Sequence, residues 1–267
     1  FTDRLLYSTY DVTSIVADAA SHELPVVVSG RVGAGKYSLG TRPPYLGLLV
    51  QGRVHLCDGT AVDLSTADDG WRSSSSPIAF ENLYIGEKYN AMQEHANWTS
   101  PLFNDTQWSL ASRMPPPTPL GPLRPALFPP IRVMDILRPV AVVASDSTGF
   151  VVDFGDNIAG VVQLHLPPAI PANTTVTLSF GELCCPFQNP FGQTDSYTFS
   201  GNEAPGTTWS PTFVYHGFRL VHVAGWPMEH DECHKDGRCT SAIVLRSAMT
   251  HTSRLTLGRR EQRERRD

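Results

Sequence analysis

In the second half of the chain apolar residues fall at every other position. Phe150, Val152 and Phe154 share one face; Val162, Leu164 and Leu166 repeat the pattern, and Val176, Leu178 and Phe180 repeat it again. Phe213 with Tyr215, and then Phe218, Leu220 and His222, complete the series. A period of two is that of a half-buried strand. Gly-Asp-Asn, Pro-Pro and Gly-Asn-Glu clusters separate the runs and supply turn chemistry. Short strands with no convincing amphipathic helix predict an all-β chain built as an antiparallel sandwich or jelly roll. The first half reads the same way: YDVTSIV and ELPVVVSG predict strands with glycine turns. YLGLLVQGRVHLC predicts two short strands around Gly52, followed by an Asp58-Gly59 turn and, after residue 77, by FENLYIGEKYNAM.

Between the halves, MPPPTPLGPLRPALFPP is dense in proline, which excludes helix and central strand and favours a stiff, extended connector or a strap across a sandwich. The predicted organisation is therefore a sandwich over 1–112, a connector over 113–130, a second sandwich over 131–226 and an irregular tail over 227–267.

Composition supports that picture. With 22 Pro and 21 Gly against 41% hydrophobic residues, the chain suits many turns better than long helices. A net charge of −5 gives no reason to expect nucleic acid or an anionic membrane as partner, although five Arg crowd GRREQRERRD at the end. No apolar run reaches the roughly 18 residues of a spanning helix, so no membrane partner is expected. The chain opens on Phe1 and reads as a fragment, a mature form or an incomplete gene model. Five cysteines (Cys57, Cys184, Cys185, Cys233, Cys239) are too few for a disulfide scaffold. Three Asn-x-Ser/Thr sequons, at Asn97, Asn104 and Asn173, point toward a secreted location.

Several motifs now match a family. GFVVDFGDNIAGVVQLHLP (149–167) is followed by TTVTLSFGELC, DSYTFSGNE and TWSPTFVYHGFRLVHVAGWP. In order and spacing these resemble the concanavalin-like β-sandwich of bacterial-type α-L-rhamnosidases. Upstream, LYIGEKYNAM and NWTSPLFNDTQWSLA resemble that family's N-terminal domain. Its pattern there is Gly-Glu-x-Tyr-Asp-Ala-Arg, then two tryptophans flanking Asp-Asp. This chain has Asn90 for the Asp, Met92 for the Arg and Asn104-Asp105 for the acidic pair, departures that weaken sugar or Ca²⁺ binding.

The resemblance implies removal of terminal α-L-rhamnose from glycosides with inversion, by carboxylates of a downstream helical barrel. Inversion needs an acid and a base on opposite faces of the sugar. No carboxylate of this chain inherits either role, so no catalytic residue is assigned and the isolated chain is expected to be inert. The implied partners are the catalytic barrel and, through the full-length enzyme, rhamnose-containing glycosides. Glu87, Asn90, Trp98 and Asp105 are the candidate substrate contacts; Ca²⁺ in the N-terminal domain is the only cofactor the resemblance brings, and no metal ligand is assigned.

The remaining motifs each carry a plain reading beside a sharper one. GRVGAGKY (30–37) is superficially a phosphate loop, but Tyr37 stands where Ser or Thr would hold Mg²⁺, and a turn is the better reading. His230, Cys233, His234 and Cys239 read as a surface loop, a disulfide-closed turn or a zinc site. Asp153 and Asn157 either cap backbone N–H groups of their turn or touch the neighbouring domain or a sugar. Glu182 and Arg219, charged residues inside apolar runs, are expected to pair internally, with His216 nearby. Trp98, Trp108 and Trp209 are either sugar platforms or packing residues; packing is the reading for Trp108, while Trp98 stays open. The rival to a rhamnosidase portion is a free-standing extracellular carbohydrate-binding module.

Overall fold

The computed structural model describes residues 5–33, 46–114, 122–128, 132–146, 149–183 and 192–226, with two further strands at 243–247 and 255–257. The Cys184-Cys185 pair, the His230–Cys239 cluster, the second half of GRVGAGKY (34–37) and the arginine-rich end lie outside these residues. Cys57 is free and exposed.

The first part of the chain forms β1 (Leu5–Tyr7), α1 (Thr13–Ser21), β2 (Val28–Gly30), β3 (Gln51–His55), β4 (Ala61–Ser65), β5 (Arg72–Ser73), β6 (Ile78–Asn82), β7 (Gly86–Asn90), a 3-10 turn (Ala91–Gln93) and β8 (Ser109–Leu110). The helix corrects the strand predicted over YDVTSIV. The Asp11 carboxylate accepts the Thr13 N–H at 2.9 Å, and Ala17, Ala19 and Ala20 favour helix despite the β-branched residues before them. The strand after Val26 forms as β2. Only one strand, with Gly52 inside it, forms where two were predicted around that residue. It pairs with β4 across the Asp58-Gly59 turn, in which Asp58 accepts the Thr60 N–H at 2.8 Å.

From the proline-rich stretch onward come β9 (Leu123–Pro125), β10 (Asp135–Leu137), β11 (Ala141–Asp146), β12 (Gly149–His165), β13 (Thr175–Gly181), β14 (Thr194–Thr198), β15 (Thr208–Trp209), β16 (His216–Ala224), β17 (Ile243–Ser247) and β18 (Leu255–Leu257). β9 runs parallel to β1 in a separate two-stranded ribbon, as do, antiparallel, β2 with β18 and β5 with β8.

The chain is all-β, and its core belongs to one curled, ten-stranded sheet ordered β10-β17-β12-β16-β13-β14-β7-β6. β11 and β15 also pair with β12, the 17-residue strand at the centre. The predicted alternation is what closes the curl. Phe150, Val152, Phe154, Val162, Leu164, Val176, Leu178 and Phe180 are all buried in one cluster.

Two predicted strands differ in detail. Phe218 faces the cluster, but Val221 and Val223 join it in place of Leu220 and His222. The pairing of β12 with β16 jumps from Asp153↔Leu220 to Ile158↔Phe218, so residues 154–157 oppose Arg219 alone. That irregularity, eased by Gly155 at φ +87°, shifts the phase of β16. Phe213 and Tyr215 lie in no strand; Val214 is the buried residue there.

The sheet also reaches across the proline-rich stretch. β7 pairs with β14 in parallel, matching Ser196 to Lys88, Tyr197 to Tyr89 and Thr198 to Asn90. β6 then pairs antiparallel with β7. The rings of Tyr89 and Tyr197 stack across this junction with centroids 5.5 Å apart.

The β6–β7 hairpin enters the sheet through Gly86, at φ +125°. A Cβ there would fall 1.9 Å from the Thr194 carbonyl oxygen. Gly86→Ala is therefore expected to destabilise the chain by roughly 2–4 kcal/mol through clash and backbone strain together. Denaturant unfolding of the two proteins checks it.

Candidate functional site

The β7–β14 junction buries charge as well as rings. Glu87 points inward from β7 and has no exposed surface. Its carboxylate accepts the Thr212 N–H at 2.9 Å and the Phe213 N–H at 2.9 Å. This is why residues 212 and 213 make no strand: their amides are spent on a side chain instead of a ladder. The Glu87 N–H donates to Asp195 Oδ1 at 2.9 Å, and Asp195 Oδ2 lies 2.9 Å from His216 Nε2. The His216 ring stacks on Phe180 at 4.0 Å, and its Nδ1 has no partner among the described residues. An Nε2–H tautomer donating to Asp195 fits that surrounding.

Burial pushes the Glu87 carboxyl up to about 7, aided by the Asp195 charge; the Thr212 and Phe213 amides and Arg31 pull the other way. Next to it, burial and the charge of Glu94 raise the Tyr89 hydroxyl. Arg31 lies over the half-buried Trp98, 5.5 Å from the ring centroid.

The sequence-predicted contacts are thus only partly together. Glu87 and Trp98 share Arg31 as neighbour, but Glu87 is sealed inside. Asn90 accepts the Met92 N–H at 3.1 Å and caps the 3-10 turn. Asp105 stands apart, half exposed and 3.8 Å from Arg72 Nε. Trp108 packs against His95 and Phe103 at 5.2 and 5.3 Å, and Trp209 against Tyr197 at 5.4 Å, so both serve as packing residues. Among the described residues no group of three or more His, Cys, Asp or Glu side chains is arranged to hold a metal ion.

The DFGDN turn carries a second polar unit. Asp153 Oδ1 accepts the Gly155 N–H at 2.7 Å, the capping role read from sequence. The pair expected between Glu182 and Arg219 does not form. Arg219 instead grips Asp153 by two bonds of 2.8 and 2.7 Å, because the β12–β16 register sets residue 219 against the DFGDN loop. His216 belongs to Asp195, Glu182 is exposed, and so is Asn157.

Sequence reasoning missed Asp195, Glu203 and Arg31. Asp195 was readable, since it alternates with the core residues Tyr197 and Phe199. Glu203 closes its turn by accepting from Ser200 N–H (2.7 Å), the Ser200 hydroxyl (2.9 Å) and the Tyr197 hydroxyl (3.1 Å). Burial works against its charge, yet these donors hold it below the ordinary glutamate range.

Two predictions follow from this geometry. Glu87→Ala strands two amides and is expected to cost roughly 2–4 kcal/mol in chemical denaturation. Arg219 holds Asp153 below the usual carboxylate range, so the stability from that pair is present above about pH 4 and lost as pH falls through the depressed value. Arg219→Ala should lower the melting temperature at neutral pH and move the Asp153 titration upward by NMR, whereas Glu182→Ala should change neither.

The α-L-rhamnosidase N-terminal domain model matches residues 1–135, and the bacterial α-L-rhamnosidase concanavalin-like domain model matches 144–245. An α-L-rhamnosidase of Streptomyces avermitilis is 35% identical over 239 residues, 85% of this chain and 22% of that protein. The crystal structure of S. avermitilis α-L-rhamnosidase complexed with L-rhamnose superposes with a TM-score of 0.62 at 30% identity, over 76% of this chain and 19% of that one. Native Aspergillus terreus α-L-rhamnosidase gives 0.63 at 28% identity, over 83% and 25%. The chain spans about a fifth to a quarter of the length of the curated relatives it matches. Both domain matches and the identity to these relatives agree: the chain belongs to the bacterial α-L-rhamnosidase family and corresponds to an N-terminal portion of it.

Proposed function

We propose that this chain is the non-catalytic front portion of an α-L-rhamnosidase, holding a catalytic barrel in place while the barrel removes terminal α-L-rhamnose with inversion. The observation that carries this reading is that its deeply buried acids are already committed. Glu87 serves two amides, Asp195 serves Glu87 and His216, Asp153 serves Arg219 and its own turn, and Glu203 serves the 200–203 turn. Inversion needs two carboxyl groups facing each other across roughly 6.5–9.5 Å with room for sugar and water between them. Acids tied this way are structural.

Any sugar contact is assigned to the Trp98 face, since Glu87 is enclosed. The sequons support a secreted location: Asn97, Asn104 and Asn173 are all exposed.

The purified chain is expected to show no turnover of an aryl α-L-rhamnoside; clear turnover would overturn the scaffold reading. Calorimetry with L-rhamnose, with and without Ca²⁺, separates a supporting unit from the rival carbohydrate-binding module. The supporting role predicts no measurable heat in either condition.

A further inference from the structure

The fold treats one of the three sequons, Asn173-Thr174-Thr175, differently from the other two. It closes the turn between β12 and β13, in which Pro168, Ala169, Pro171, Ala172 and Asn173 are all exposed. Asn173 sits in the left-handed region at φ +68°, which Asn tolerates better than most side chains. Its backbone N–H donates to the Phe199 carbonyl at 2.9 Å, and the Thr174 carbonyl accepts the Phe199 N–H at 2.8 Å. The main chain is thus pinned to the end of β14 while the carboxamide faces water. No charged residue lies between Leu166 and Phe180.

The other two acceptors are crowded. Asn97 is followed by the half-buried Trp98, with Arg31 5.5 Å over its ring. Asn104 accepts the Thr106 N–H at 3.1 Å through Oδ1, and the carboxylate of Asp105 follows it. A glycan donor carried on a lipid pyrophosphate is anionic, so an acid beside the acceptor repels it and a large ring obstructs it. Thr174 does neither.

We propose that Asn173 is the residue of this chain built to carry an N-linked glycan. Its Nδ2 bonds to C1 of the first sugar of an oligosaccharide held on a lipid pyrophosphate. The bond from that carbon to the pyrophosphate oxygen breaks, the pyrophosphate leaves with the electron pair, and an amide proton is released. In the folded chain Thr175 pairs with Thr198, their hydroxyls 2.8 Å apart. Transfer therefore comes before β13 pairs with β14, while the sequon hydroxyl is still free. The finished glycan covers this end of the sandwich, so a neighbouring domain meets another face. The inference rests on the secreted location proposed above.

The test sends the full chain through a eukaryotic secretory route behind a host leader and reads the mobility shift removed by enzymatic deglycosylation. The shift is expected to be lost in Asn173→Gln and in Thr175→Ala, and kept in Asn97→Gln and Asn104→Gln. Transfer precedes folding, so a variant that folds poorly still reports. No shift at all, a shift that survives Asn173→Gln and Thr175→Ala, or one lost with Asn97→Gln or Asn104→Gln overturns the proposal. Peptide mass spectrometry of the chain from its own cells separates the two readings. A glycan at Asn173 behind the leader but none in the native protein supports the acceptor and overturns the secreted location.

Discussion

The carboxylate of Glu87 is the interaction on which the arrangement turns. Two successive amides, those of Thr212 and Phe213, would be unsatisfied inside the molecule without it, and a buried unpaired N–H is costly. By meeting them, one side chain permits the chain to break out of strand geometry just before β16. It also fixes the hairpin that carries Glu87 against the sandwich. Asp195 then serves both sides, receiving the Glu87 amide with one oxygen and His216 with the other. The stacked rings of Tyr89 and Tyr197, with Trp209 tilted against both, cover the same junction, so apolar burial and hydrogen bonding reinforce one another.

How far the sequence could be read follows from what each feature depends on. Alternation made the β12 and β13 faces legible, because a strand buried on a shared face needs only a period of two. Asp153 as a turn cap was legible for a similar reason: its partner, Gly155, is two residues away. Arg219 was not, since its partner is chosen by a four-residue irregularity in the β12–β16 register that no local pattern announces. Glu87 reads from sequence as a candidate substrate contact. Its partners lie 125 and 126 residues downstream, and only the folded sheet brings them together. The helix at Thr13 was hidden by β-branched residues that precede its alanines.

The acids of the described residues divide by depth. Exposed carboxylates such as Asp63 pair with neighbours across a hairpin, in this case with Arg53. The interior ones close turns or join strands. Each is spent on backbone or on a fixed partner, which is what the supporting role proposed above would require of them. Membership of the rhamnosidase family and an interior committed to structure are therefore compatible statements about the same chain.

The parallel union of β7 with β14 has a practical consequence for anyone dividing this molecule. The proline-rich stretch invites a cut, yet a piece beginning after it would leave one long side of β14 as a bare row of peptide donors and acceptors. Such a row is a template for any other extended chain, including a second copy. Aggregation of that piece would then reflect the missing hairpin and not a poor core. Keeping residues 78–90 with the sandwich keeps that side covered, and it is a better rule for placing an end than the prolines are.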